Sequence, residues 1–194
     1  MEEIKKIIEE SIETKKRFLD VEGNLKSIGI AVNVIVESFK NGGKVLICGN
    51  GGSAADAQHI AGELVDRFLL DRKGLPVIAL TTDSSVITAW GNDKDFNKIF
   101  ERQVEALGKQ GDVLIGISTS GNSENVVKGM EKAKENGMRI VSLTGKDGGK
   151  IKELSDVNIN VESSETPRIQ ECHSVIYHII CELVEKEMVG GKDD

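Results

Sequence analysis

No stretch of this sequence gathers lysines or arginines into a stripe, and the formal net charge is -7. Nucleic acid is therefore not an expected partner, because binding a phosphodiester backbone leans on clustered cations. No window approaches the roughly 18 uninterrupted apolar residues that a membrane-spanning helix requires, so no membrane partner is expected either. The first ten residues, Met1 to Glu10, are charged throughout and lack the apolar centre and small-residue cleavage site of a secretion signal. Cysteine is scarce: Cys48, Cys172 and Cys181 are odd in number, without framework spacing, and read as reduced thiols. Together these features lead us to expect a cytoplasmic address. Internal repeats and low-complexity segments are also missing, and residues 191–194 alone have the composition of a loose tail.

What remains is 194 residues with 39% hydrophobic and 29% charged side chains, enough for one domain, or one domain with a helical arm. From Lys44 onward, short apolar runs alternate with helical patterns. The runs are Lys44–Cys48, Pro76–Leu80, Asp112–Ile117, Arg139–Leu143 and Val157–Val161. Nearly continuous apolar strands suit a parallel sheet covered on both faces, so an α/β three-layer sandwich with right-handed crossovers is expected. Before it, Ile4, Ile7, Ile8 and Ile12 recur at helical spacing, as do Leu25, Ile28, Val32, Ile35 and Phe39, with Gly23-Asn24 as the break between two helices. The first helix either packs on its own sheet or buries its stripe against another subunit.

Ligand chemistry belongs at the carboxyl ends of such strands. The first strand leads through Cys48-Gly-Asn-Gly-Gly-Ser53 into a helical run, Ala54 to Phe68. The third leads through Ser118-Thr-Ser-Gly-Asn-Ser123 into another, Glu124 to Asn136. A helix N-terminus offers unpaired N–H groups and a positive dipole end, and so favours an anion. Gly121 lets the backbone turn closely, and the hydroxyls of Ser118, Thr119, Ser120 and Ser123 add neutral donors. N-capping is the ordinary use of such residues, but four hydroxyls within six residues exceed what one cap requires. Neither Gly-Lys-Ser/Thr nor Gly-x-Gly-x-x-Gly occurs, which argues against ATP and NAD. A bound phosphate is the expectation.

His59 and Glu63 are four apart on the helix after the glycine loop, a spacing that serves two ligands of one metal, a base beside its partner, or a plain surface pair. The last helix opens at Thr166-Pro167 and carries Gln170, Ser174 and His178 at steps of four. All three histidines of the chain (His59, His173, His178) lie in these two helices. Imidazole with a carboxylate is ordinary zinc chemistry, and an amide oxygen is a less usual ligand. His178 also sits in an apolar run where a core role is possible.

The motifs Cys48–Ser53, His59-x-x-x-Glu63, Gly91-Asn-Asp93, Gly116–Ser123, Leu143–Gly149 and Arg168-Ile-Gln-Glu171 with His178 resemble those of phosphoheptose isomerases, members of the sugar isomerase (SIS) domain family. The resemblance runs from the N-terminal helices to the last one. It implies a five-stranded parallel, flavodoxin-like sheet preceded by N-terminal helices, with residues 1–42 as an arm packing in the oligomer and 43–190 as the SIS domain. It implies an intramolecular oxidoreductase converting D-sedoheptulose 7-phosphate to D-glycero-D-manno-heptose 7-phosphate, the entry to heptose for lipopolysaccharide or other surface glycans. A homotetramer with active sites between subunits is implied as well.

By the same resemblance, zinc, one ion per subunit, is bound at His59, Glu63, Gln170 and His178. Substrate contacts fall on Asn50, Gly51, Gly52, Glu63, Asn92, Asp93, Ser118, Thr119, Ser120, Ser123 and Gln170, with Ser53 a further candidate for the phosphate. Glu63 and His178 match the acid/base pair. Two positions depart from the pattern: Gly62 where a second acid is common, and Pro167 where some members carry aspartate. Non-catalytic SIS proteins of the replication-initiator-associating type share both loops but lack counterparts of Glu63 and His178. SIS isomerases of hexulose or pentose phosphates remain a second alternative, and a sensor with a DNA-binding module has no room here.

Overall fold

Five apolar runs form one parallel sheet in the computed structural model, which describes residues 1–190, so that the tail read at 191–194 lies outside the described residues. The strands are β1 (Val45–Gly49), β2 (Val77–Ala79), β3 (Val113–Ser118), β4 (Arg139–Gly145) and β5 (Val157–Val161). Each falls within about two residues of its expected boundaries. The order is β2-β1-β3-β4-β5. Every residue of β1 and β3 is buried, as central strands covered on both faces demand. The edge strand β5 alternates, burying Val157, Ile159 and Val161.

Helices divide between the two faces. On one face α2 (Glu22–Lys40), α3 (Gly52–Val65) and α8 (Thr166–Val189) enclose Val45, Ile47, Ile115, Val141 and Ile159. On the other, α5 (Ile99–Leu107), α6 (Glu124–Glu135) and α7 (Gly149–Leu154) cover Leu46, Leu114 and Ile140. A short α4 (Ser84–Trp90) runs into a π turn at Gly91–Asp95 and a 3-10 turn at Phe96–Lys98. No helix among the described residues is long and apolar enough to cross a membrane.

The two N-terminal helices behave differently. α2 is a core helix: Ile28, Ala31, Val32, Ile35 and Phe39 are buried against α8 and the sheet. α1 (Glu2–Asp20) packs along α8 and α2, where Thr14 is its one buried residue, and Ile4, Ile7, Ile8 and Ile12 stay exposed at 46–59%. The corner between them falls at Val21, not at Gly23-Asn24. Those two residues start α2, and Asn24 closes the corner by donating from Nδ2 to the Phe18 carbonyl at 3.0 Å.

The order 2-1-3 places a switch point between β1 and β3. The chain leaves β1 toward the face of α3 and leaves β3 toward the face of α6. A crevice therefore opens at the carboxyl edge, flanked by the glycine loop and the serine loop.

Candidate active site

At the serine loop, Ser118 Oγ lies 2.9 Å from Ser123 Oγ and 3.3 Å from Ser120 Oγ, so three hydroxyls converge. Ser123 holds the N-cap position of α6, yet its side chain makes no cap bond and turns to Ser118 instead. Capping therefore does not account for these hydroxyls. Gly121 has φ +66°, and a Cβ there would collide with the Gly148 carbonyl. The loop is braced from behind by the turn after β4: Ile151 N–H donates to Gly121 O at 3.0 Å and Lys150 N–H to Asn122 Oδ1 at 3.2 Å. Thr119 is half-buried, with its carbonyl against Gly145.

The glycine loop faces it. Gly51, with φ +55°, is the N-cap of α3, whose first turn also lacks a side-chain cap. Asn50 and buried Asn125 exchange two amide hydrogen bonds of 2.8 Å, tying this loop to α6. Ser53 is buried beneath Gly49. Asn92 and Asp93 occupy the exposed π turn, where Asn92 Nδ2 donates to Asp93 Oδ1 at 2.9 Å. That turn packs on α4 and the 3-10 turn, and no side-chain hydrogen bond joins it to either loop.

Helices α3 and α8 each follow a strand of one parallel sheet, and they run side by side in the same direction. Gly52 meets Gln170, and seven residues further along both helices His59 meets Tyr177 and His178. His59 Nε2 donates to Glu63 Oε1 at 2.9 Å and lies 3.4 Å from His178 Nε2. One ligand atom each from His59, Glu63 and His178 falls within 4.8 Å of the others. Phe68 stacks on His178 with ring centroids 5.7 Å apart. Gln170 is not part of this cluster within the chain. Eight residues of helix, about 12 Å, separate it from His178, and its amide lies where a Cβ on Gly52 would be. Within one chain the cluster holds His59, Glu63 and His178, while Gln170 sits beside the glycine loop.

The family model of the SIS domain matches residues 6–145. A phosphoheptose isomerase from Clostridium acetobutylicum is 54% identical over 187 residues, covering 96% of this chain and 95% of that protein. The chain belongs to the SIS domain family, among its phosphoheptose isomerases. Solved structures agree. The phosphoheptose isomerase of Neisseria gonorrhoeae matches with TM-score 0.90 and 42% identity over 95% of this chain and 98% of its own. That of Francisella tularensis matches with TM-score 0.91 and 38% identity over 95% and 97%.

In this phosphoheptose isomerase family member the donor set fits a metal. Two imidazoles and a carboxylate are a zinc-type set that leaves a coordination position for another group. Several residues that shape the cluster escape a reading by sequence. Buried Tyr177 places its hydroxyl 3.1 Å from His59 Nδ1, and Ser174 Oγ donates to that hydroxyl at 3.3 Å. Burial holds the Asp56 carboxyl above its ordinary pKa range, against the opposing pull of His59 and Tyr177.

Glu185, fully buried, accepts the backbone N–H groups of Phe68, Leu69 and Leu70 and the Nε of Arg72 at 2.6–2.9 Å. Burial by itself would raise its pKa, but those four donors together hold it below the usual carboxylate range. Arg72 also takes the carbonyls of Glu63 and Leu64, which explains why α3 stops at Val65 and not at Phe68. No sequence signal marks this network, because both residues sit among other charges, Arg72 between Asp71 and Lys73 and Glu185 before Lys186 and Glu187.

Proposed function

We propose that the chain interconverts D-sedoheptulose 7-phosphate and D-glycero-D-manno-heptose 7-phosphate, feeding heptose into lipopolysaccharide or other surface glycans. The observation that carries this is the meeting of Glu63 and His178 from two separate helices, in a chain that also carries two loops suited to a phosphate. The non-catalytic alternative, as characterised by its missing counterparts of these two residues, is not favoured.

The phosphate is anchored by Ser118, Thr119, Ser120 and Ser123 and by the N-terminus of α6, with Ser53 and the uncapped N-terminus of α3 opposite. Asn50, Gly51, Gly52 and Gln170 line the sugar side, and Asn92 and Asp93 contact it from their exposed turn. Moving a carbonyl from C2 to C1 means removing a proton from C1 and returning one to C2 through an enediol. Glu63, with Oε1 toward His59 and a second oxygen besides, carries that proton. His178 acts as the partner acid/base at the sugar oxygens. His59, Glu63 and His178 would hold a zinc, with Gln170 the fourth residue that the resemblance implies, and a bound zinc would supply an electrophile for the developing enediolate charge. A side chain cannot ligate and carry a proton through the same lone pair, so the acid/base work falls to whichever atoms are not committed to the metal.

Residues 43–190 form the SIS domain in this proposal, and 1–42 contribute the oligomer contacts. The exposed isoleucine stripe of α1 supports a homotetramer with sites between subunits. The three free cysteines support the cytoplasm as its place of work. The test is NMR of pure protein mixed with sedoheptulose 7-phosphate, with fructose 6-phosphate and ribulose 5-phosphate as comparators, each with and without a chelator. An aldose 7-phosphate should appear from the heptulose and not from the shorter ketoses. Turnover confined to a shorter sugar would replace the substrate, and no turnover of any sugar would overturn the enzyme.

A further inference from the structure

His59 uses both ring nitrogens, and the partner of the second one belongs to no role assigned above. Glu63 as a carboxylate has no proton to give, so the 2.9 Å contact puts the ring proton on Nε2. Nδ1 is then an acceptor, and the Tyr177 hydroxyl 3.1 Å away donates to it. The Tyr177 ring is buried and meets the His59 ring edge-on, with centroids 5.3 Å apart, so one edge of the imidazole is packed.

For His59 to serve a metal through Nε2, that proton has to move to Nδ1, which then needs an acceptor. A phenol oxygen can accept there, provided its own proton finds a new partner. One stands ready: Asp56, one turn before His59 on α3, neighbours the hydroxyl, and its Oδ2 is buried without any hydrogen-bond partner. Ser174 Oγ at 3.3 Å is a second option. Tyrosine can donate in one state and accept in the other, whereas phenylalanine would leave Nδ1 without a side-chain partner in both.

We infer that Tyr177, backed by Asp56, is the positioning residue of this site, setting the orientation and tautomer of His59 so that Nε2 faces Glu63 and His178. This rests on the proposed metal reading for its consequence, but not for the His59 tautomer itself. Outer partners of metal-ligating histidines typically govern 10–100-fold in affinity.

The test uses the full chain, wild type and Tyr177→Phe, with Asp56→Asn as a variant that leaves the ring packing intact. Zinc affinity is measured by competition with a chromophoric chelator, and the His59 tautomer by nitrogen-15 NMR of the ring. Metal-free wild type should show Nε2–H, zinc-loaded wild type Nδ1–H, and Tyr177→Phe a mixture, with zinc binding weakened about 10–100-fold. Asp56→Asn should weaken zinc several-fold at an unchanged melting temperature. Unchanged zinc affinity and an unchanged tautomer in both folded variants would overturn the inference. If wild type takes up no zinc, the metal reading fails, and the metal-free tautomer comparison alone decides the positioning role.

Discussion

His173 and His178 lie five residues apart on α8 in opposite surroundings. His178 is half-buried beside His59 and Glu63, while His173 is fully buried, donates from Nε2 to the Thr144 carbonyl at 2.9 Å, and has no partner at Nδ1. Burial drives its pKa from 6.5 down to about 4, against the opposing hydrogen bond. The unfolded chain therefore takes up this proton first as pH falls, and stability declines between about pH 6.5 and 4. One proton over that window amounts to about 3 kcal/mol. His173→Gln should flatten the fall in urea midpoint between pH 7 and pH 5, and an equal slope in both proteins would locate the acid sensitivity elsewhere. At the other end of the site, Ser120→Ala with Ser123→Ala removes two of the three converging hydroxyls. The Michaelis constant should rise about tenfold or more, since each hydrogen bond to a charged group contributes roughly 1.5–3 kcal/mol. Steady-state kinetics check this, and an unchanged constant would move the phosphate away from this loop.

Among the elements, the strands were readable because a buried parallel strand is apolar almost end to end, leaving little room to misplace it. The i,i+4 spacing of His59 and Glu63 was readable for the same kind of reason, since helix geometry guarantees a shared face. That His178 would join them was not, because it depends on α3 and α8 running in parallel with their seventh residues aligned. Nor was the loop after α3 legible: Glu185 reaches Phe68–Arg72 across 113–117 residues of sequence, where no local pattern exists. That loop holds Phe68 against His178, so its anchor matters to the site. Glu185→Ala should cost about 3–5 kcal/mol, because Arg72 and three N–H groups would be left buried without their acceptor. Denaturant unfolding measures the loss, and a change within about 0.5 kcal/mol would mean water replaces the carboxylate.

For the whole molecule, the isoleucine stripe of α1 is the feature a lone chain leaves unexplained. Ile8 is 54% exposed and Ile12 48%, on a helix otherwise rich in charge. Burying such side chains in a subunit contact stabilises by roughly 1.5–3 kcal/mol each. Ile8→Glu with Ile12→Glu should shift the sedimenting species to a smaller size with the circular dichroism of the fold retained. An unchanged sedimentation coefficient would place any subunit contact elsewhere. Chemistry at the molecular scale depends on the parallel pairing of α3 and α8, which brings a carboxylate and an imidazole to one small sugar. The most direct measurement compares Glu63→Gln with wild type, sedoheptulose 7-phosphate binding by calorimetry and turnover by NMR. Binding should persist while turnover falls by about 10²–10⁴-fold. Turnover at the wild-type rate would remove Glu63 from the mechanism and hand the proton transfer to another group.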